Sequence, residues 1–184
     1  MGDGDLRKNG RSNVRTLAWN KKTLKLIDQR ELPFKQIYIK CKTSADAGKA
    51  IKDMVVRGAP AIGVTAGYGV ALAALEYTVK DRPEFITHLK SIIDMLSKTR
   101  TTAINLFWAL DRMRKTIDKN SNPGIDELRK LIIREAEDIE KEDLQINYKL
   151  GENCKDIFKN SRKKLKILTH CNAGALATSG YGTA

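Results

Sequence analysis

Three side chains in this sequence could bind or transform an anionic substrate: Cys171, Arg57 and Arg100. Cys171 follows the apolar run 165–169 and precedes the short run 172–174, which ends in glycine. This order predicts a strand, a tight turn and a helix start, with the thiol outside the carboxyl end of the strand, where α/β proteins bind ligands. The partial positive charge of a helix N-terminus would favour the thiolate. A free cysteine is also a common small core residue, and the local pattern leaves both interpretations open.

Arg57 stands beside a predicted helix start. Pro60 suits the first position of a helix, where its missing N–H group costs nothing, so we expect a helix to begin there. An arginine next to an uncapped helix N-terminus can bind phosphate, because the free N–H groups and the guanidinium both attract an anion. The competing interpretation is a tightly packed core helix with an incidental arginine.

Arg100 repeats this arrangement further along the chain. Thr101 or Thr102 is predicted to cap a helix that runs from residue 103 to about 117. The guanidinium of Arg100 would therefore also lie at a helix N-terminus. Two such sites in one small domain favour an anionic ligand.

Composition narrows the class of partner. The formal charge is +12, from 34 Lys and Arg against 22 Asp and Glu, which would suit a polyanion or a phosphorylated metabolite. The basic residues are scattered, and aromatic residues make up only 6% of the sequence. A stripe of basic residues interleaved with aromatic side chains would indicate nucleic-acid binding. The sequence has no such stripe, so we expect no nucleic-acid partner.

Cysteine spacing and hydropathy predict a cytoplasmic protein without a metal. The three cysteines, Cys41, Cys154 and Cys171, are far apart and odd in number, and no pair has the spacing of a zinc site. The N-terminus lacks the apolar segment of a secretory signal. The longest apolar run, 59–75, contains a proline and three glycines and is shorter than the roughly 20 residues of a membrane span.

The remaining sequence predicts a mostly helical domain with a small antiparallel sheet over residues 14–160. Residues 1–13 are polar and predicted to be disordered. The predicted strands are 14–19, 24–28 and 37–41, with a hairpin turn at 20–23. The predicted helices are 45–55, 60 onwards, 85–96, 103–117 and 125–150 or beyond.

Further predictions concern the packing of single residues. Gly63, Gly67 and Gly69 would let another helix approach closely, and Gly151 could bend or end the last helix. Phe107 and Trp108 are most simply core residues.

Four segments together resemble the methylthioribose-1-phosphate isomerase family, within the superfamily of the alpha, beta and delta subunits of initiation factor 2B. They are an Asp-Gln-Arg turn with a following Leu-Pro, and three longer runs, at residues 28–33, 53–63, 105–113 and 169–178. Their order matches the family, and the resemblance covers about residues 14–184. It corresponds to the N-terminal half of a family member.

The resemblance implies an α/β protein in which residues 161–184 are the first strand and helix start of a truncated Rossmann-like domain. It implies that Arg57, Gly58 and Ala59 bind the substrate phosphate region, that Arg100 also binds substrate, and that Cys171 is the active-site cysteine. It further implies an aldose–ketose isomerase of methionine salvage that converts 5-methylthioribose 1-phosphate to 5-methylthioribulose 1-phosphate. No cofactor or metal would be needed, and the full-length protein would be a homodimer.

Two alternatives remain open within this resemblance. One is a ribose-1,5-bisphosphate isomerase, and the other is a non-catalytic regulatory subunit similar to those of initiation factor 2B. The sequence also departs from the family: Thr101 replaces a usual proline, and Asn153-Cys154 replace a frequent His-Gly pair. The proton-donating aspartate of the family would lie beyond Ala184, so we expect no isomerase activity from these 184 residues alone.

Overall fold

The structure is a computed structural model that describes residues 14–78, 80–120, 124–159 and 166–183. Within these ranges it contains a three-stranded sheet, five α-helices and one short 3-10 helix. The mostly helical architecture with a small sheet was predicted and is confirmed. The predicted disordered leader, 1–13, lies outside the described residues.

The sheet is antiparallel, with the strand order β1-β2-β3. Its strands are β1 (Leu17–Trp19), β2 (Leu24–Ile27) and β3 (Tyr38–Cys41). Between β1 and β2, the side-chain oxygen of Asn20 accepts hydrogen bonds from the backbone N–H groups of Lys22 and Thr23. This local bonding closes the predicted hairpin.

Four of the five α-helices pack around the remaining one. The five are α1 (Ser44–Lys52), α2 (Ala59–Glu76), α3 (Arg82–Ser97), α4 (Ile104–Lys119) and α5 (Ile125–Phe158). Helix α2 contacts all four others. It is long and apolar enough to cross a bilayer, but 78% of it is buried inside the protein, which is the environment of a core helix. A helix that is apolar on every side is stable when neighbours cover every side.

Small residues on α2 set the distance to its neighbours, as predicted. A Cβ atom on Gly63 would lie 2.7 Å from the backbone oxygen of Asn105 at the start of α4. Further along α2, a Cβ on Gly69 would lie 3.0 Å from Leu96 of α3. The absence of side chains at these two positions lets the backbones approach closely.

Two predictions about α4 are wrong, and the first concerns its N-cap. The helix begins after Ala103, and neither Thr101 nor Thr102 caps it. The N–H of Ala103 instead bonds to the carbonyl of Arg100, which closes a turn over the threonines.

Phe107 and Trp108 are exposed rather than buried, at 42% and 46% of their surface. The inward face of α4 is already filled by Leu106, Ala109, Leu110, Met113 and Ile117. Trp108 packs instead under the guanidinium of Arg112, 5.0 Å from the ring centre.

The C-terminal segment also differs from expectation. Residues 166–170 form exposed coil instead of a strand, because no described strand lies beside them to complete a hydrogen-bonded ladder. The expected helix start is the 3-10 helix Ala175–Ala177. Helix α5 runs unbroken through Gly151 to Phe158, and the glycine makes room for Tyr181, whose hydroxyl lies 3.0 Å from its ideal Cβ position.

Candidate active site

All five predicted site residues line one cavity of about 610 Å³. Arg57, Gly58 and Ala59 lie at the start of α2, Arg100 lies before α4, and Cys171 enters from the C-terminal segment. The other lining residues are Met54, Ile62, Thr102, Ala103, Ile104, Asn105 and Asn172. Sequence positions more than 100 residues apart are therefore brought to one place.

The backbone around Gly58 explains why this residue has no side chain. Its φ angle is +88°, a left-handed conformation that glycine adopts without strain. A Cβ atom there would lie 2.3 Å from the Cα of Ala177. Gly58 thus allows the start of α2 to touch the segment that carries Cys171.

The cavity is electropositive. Helices α2 and α4 both begin at it, with Gly58 and Ala103 as N-caps that supply no side-chain hydrogen bond. Uncapped N–H groups attract anions. Arg57 and Arg100 add two full positive charges, and none of the described lining residues is acidic. A phosphate or carboxylate group is the ligand that this arrangement suits.

Cys171 is the exposed one of three free thiols. It lies between the cavity described above and a second cavity of about 600 Å³, since Arg57, Cys171 and Asn172 line both. By contrast, burial raises the pKa of Cys41 to about 11, so that this thiol stays protonated at neutral pH. The two residues have the same type of side chain, and they differ in their burial.

Hydrogen bonds from the residue before β1 and from the turn after β2 hold the segment that follows Cys171. The hydroxyl of Thr16 donates to the carbonyl of Ala175, and the side-chain amide of Gln29 donates to the carbonyl of Leu176, both at 2.7 Å. These bonds fix the backbone four and five residues beyond the thiol.

Helix α5 holds the same segment further on. The backbone N–H of Ser179 donates to the carboxylate of Asp143 at 2.8 Å, and the Ser179 hydroxyl bonds to the same oxygen. The ring of Tyr181 lies against Tyr148 with centroids 4.4 Å apart. The cavity wall is therefore attached to both the sheet and the longest helix.

Sequence reasoning missed three contributions to the site. The N-terminus of α4 enters through Ala103 to Asn105 rather than through a threonine cap, and Asn172 and Gln29 line the cavities. For Gln29 a signal existed, because it belongs to the Asp-Gln-Arg turn that carries part of the family resemblance. No group of three or more His, Cys, Asp or Glu residues that could hold a metal occurs in the described part of the chain.

The chain belongs to the initiation factor 2 subunit family, whose sequence model matches residues 55–180. Its curated relatives include the methylthioribose-1-phosphate isomerase of Crocosphaera subtropica, 44% identical over 94% of this chain and 50% of the relative. Methylthioribose-1-phosphate isomerase 1 of Pseudothermotoga lettingae is 46% identical over 92% of this chain and 47% of the relative. The chain thus spans about half the length of the curated relatives that it matches.

Solved structures share the fold. The 5-methylthioribose 1-phosphate isomerase of Pyrococcus horikoshii superposes with a TM-score of 0.86 at 38% identity, covering 97% of this chain and 50% of that one. A second structure is described as subunit delta of translation initiation factor eIF-2B from A. fulgidus. It gives a TM-score of 0.79 at 40% identity, covering 92% of this chain and 48% of that one.

Proposed function

We propose that the chain provides the phosphate-binding and thiol-bearing part of an aldose–ketose isomerase that acts on 5-methylthioribose 1-phosphate in methionine salvage. The observation that carries the proposal is the cavity in which Arg57, Arg100 and Cys171 meet two uncapped helix N-termini. Curated relatives at about 44% identity have this activity in their names, and they supply the reaction that the cavity alone leaves open.

The start of α2 is the proposed phosphate subsite. Gly58 and Ala59 would present backbone groups at the positive end of the helix, while Arg57 and Arg100 would donate charge-assisted hydrogen bonds. A phosphate held there also fixes the position of C1, the sugar carbon that carries the phosphate ester. The reacting carbons would then lie close to Cys171.

The reaction moves two hydrogens within one molecule. The bond between C1 and the ring oxygen breaks, the hydrogen on C2 moves to C1, and the proton of the C2 hydroxyl is transferred to the released ring oxygen as the C2 ketone forms. Atoms and electrons balance without an external oxidant. We propose that the thiol of Cys171 is the catalytic group that supports proton transfer or stabilises the transition state, since a thiol in a positively charged cavity can do either.

A non-catalytic role is the second candidate, because the chain is also 40% identical to a structure described as an initiation factor subunit. The two candidates make different demands on Cys171. A subunit that makes only protein contacts does not need an exposed thiol beside two arginines. The presence of all three side chains in one cavity favours catalysis.

The finer architecture is part of the same proposal. We propose that residues 161–184 begin a Rossmann-like catalytic domain and that the complete protein is a cytoplasmic homodimer. The half-length match to the relatives supports the first point. The oligomeric state can be measured by sedimentation of the protein isolated from its host.

Calorimetric titration with inorganic phosphate and with 5-methylthioribose 1-phosphate tests the binding site. Removing a charged hydrogen-bond donor should weaken binding about 10- to 100-fold, so we expect this loss for Arg57→Ala and for Arg100→Ala. Arg134→Ala is the matched control, since Arg134 is exposed on α5 and away from the cavity. Equal affinity in all four proteins would refute the proposed anion site.

Turnover by the protein as its host makes it tests the catalytic role. Cys171→Ala should abolish conversion of 5-methylthioribose 1-phosphate while its dissociation constant stays within about threefold, because the alanine removes only the reacting group. Undiminished turnover in this variant would exclude Cys171 from the chemistry. Binding without any turnover in the unsubstituted protein would favour the non-catalytic candidate.

A further inference from the structure

We infer that Gln29 is a positioning residue that holds Cys171 beside Arg57. The inference rests on the proposed function, in which the thiol and the guanidinium act on one ligand. It gives the Asp-Gln-Arg turn, residues 28–30, a role in the site.

The turn is held rigidly by its two flanking residues. Asp28 is buried, with 3% of its surface exposed, and its carboxylate accepts two hydrogen bonds from the guanidinium of Arg30, at 2.8 and 2.6 Å. The backbone N–H of Arg30 donates to the same carboxylate at 3.1 Å. A bidentate pair of this kind fixes both distance and orientation. The residue between them therefore has a fixed backbone.

Gln29 uses that backbone to bridge two separate parts of the site. Its N–H donates to the carbonyl of Val55 at 3.0 Å, and its side-chain amide donates to the carbonyl of Leu176 at 2.7 Å. Val55 lies two residues before Arg57, and Leu176 lies five residues after Cys171. One residue thus ties the arginine loop to the cysteine segment.

The bridge joins a segment that other bonds also attach to the protein. Thr16 holds Ala175, the Asp143 carboxylate holds Ser179, and the backbone N–H of Thr183 donates to the carbonyl of Ala173, so the segment stays attached without Gln29. Of these bonds, the one from Gln29 alone leads to the arginine loop, because Gln29 also binds Val55. Loss of the amide leaves the Leu176 carbonyl without its partner and removes this link, so that the thiol shifts relative to Arg57 while the fold persists.

The test measures whether an anion bound near Arg57 still protects Cys171. Iodoacetamide labels the native protein with and without inorganic phosphate, and mass spectrometry follows the rate at each cysteine. A phosphate concentration about ten times its dissociation constant should slow Cys171 labelling about tenfold in the unsubstituted protein. Cys154 is the internal reference, since it lines neither cavity.

Gln29→Met removes the donor and keeps an unbranched side chain of similar length without adding charge. We expect phosphate to slow Cys171 labelling less than about twofold in this variant, while calorimetry gives a phosphate dissociation constant within about threefold of the original. Retained affinity with lost protection is what a positioning role predicts and a general loss of structure does not. Gln36→Met is the matched control, because Gln36 is exposed and lines neither cavity.

Each outcome decides a different claim. Equal protection of Cys171 in the Gln29→Met and unsubstituted proteins overturns the positioning role and leaves the proposed function intact. Absence of protection in the unsubstituted protein overturns the shared site itself, and the positioning role with it. If Gln29→Met does not fold, Gln29→Leu replaces it, since leucine also cannot donate to Leu176 and adds no charge near Arg57.

Discussion

The three cysteines of this chain show how position decides the chemistry of one residue type. Cys41 is fully buried at the end of β3, whereas Cys171 is exposed and lines two cavities. Burial penalises the charged thiolate, and this raises the pKa of Cys41 to about 11. A reactive cysteine therefore needs access as well as a suitable neighbour.

Labelling at pH 8 should separate the two thiols. We expect iodoacetamide to modify Cys171 in the native protein and to leave Cys41 unmodified, because Cys41 is both inaccessible and protonated. In denaturant both should react at similar rates, near those expected for a pKa of about 8.5. Peptide mass spectrometry measures each site, and rapid modification of Cys41 in the native protein would contradict the burial.

Asp28 should make the stability of the protein depend on pH. Hydrogen bonds from Arg30 hold the pKa of Asp28 below its usual range. A lowered pKa in the folded state adds stability above the unfolded pKa of about 3.9, and this contribution disappears as the pH falls through the folded value. Asp28→Asn should therefore lower the thermal midpoint by several degrees at pH 7, with a smaller difference near pH 3.

Circular dichroism at both pH values measures this difference. Asp94→Asn is the control, because Asp94 pairs with Arg114 on the surface with 62% of its side chain exposed. Exposed ion pairs contribute little, so this variant should melt close to the original at either pH. A pH-independent deficit for Asp28→Asn would attribute its effect to packing instead of charge.

At the scale of elements, α2 determines where the site can be. It is the helix that the other four contact, and its first turn forms the cavity wall. The close contact between Gly63 and Asn105 fixes the start of α4 against the same end of α2. The two helix N-termini therefore converge because the glycine permits their backbones to touch.

Substitution of two glycines on α2 should separate close packing from helix propensity. Gly63→Ala would place a Cβ 2.7 Å from a backbone oxygen, and we expect overpacking to cost about 1–3 kcal/mol. Gly67→Ala meets the flexible end of Ile139 at 3.3 Å, so the gain in helix propensity, about 1 kcal/mol, should largely offset the strain. Denaturant unfolding of both variants measures the difference, and equal stabilities would contradict it.

The sequence predicted the elements well where local signals determine them. Helix periodicity and the hairpin turn at Asn20 act within a few residues, and both appear as expected. Arg57, Arg100 and Cys171 were predicted individually from helix starts and a strand end, and the family resemblance assigned them to one substrate.

The errors arose where a competing local turn forms or where an element depends on a distant partner. Thr101 and Thr102 are good caps, but a turn closed by Ala103 displaces them. Residues 166–169 have a strand-like pattern, yet a strand needs a partner, and the described residues offer none there. The resemblance marked Gln29 as part of a family motif, but its contact could not be predicted because its partner, Leu176, is 147 positions away.

At the scale of the whole molecule, several apolar side chains remain outside the core. Ile167 and Leu168 are 72% and 96% exposed, and Ile157 near the end of α5 is 74% exposed. Single exposed apolar residues are common, but adjacent ones promote association. Ile167 and Leu168 precede Cys171 by a few residues, so the segment that leads to the site also exposes apolar surface.

Charge introduced at these positions should reduce self-association of the 184-residue chain. We expect Ile157→Lys combined with Leu168→Lys to lower the association constant about tenfold, with the thermal midpoint unchanged, because neither side chain contributes to the core. Sedimentation velocity over a range of concentrations measures the effect. By contrast, Leu106→Lys places a charge at a fully buried position and should prevent folding. Unchanged association of the double variant would exclude these residues.

The hydrogen bond between Thr16 and Ala175 joins residues that are 159 positions apart. Contacts of such high sequence separation form late, since a long loop must close before they contribute. During synthesis the sheet and helices α1 to α4 can fold before residues 166–183 have been added, as N-terminal parts generally do. The ligand cavity therefore forms after its helical part, and a nascent chain is already compact before it can recognise an anion.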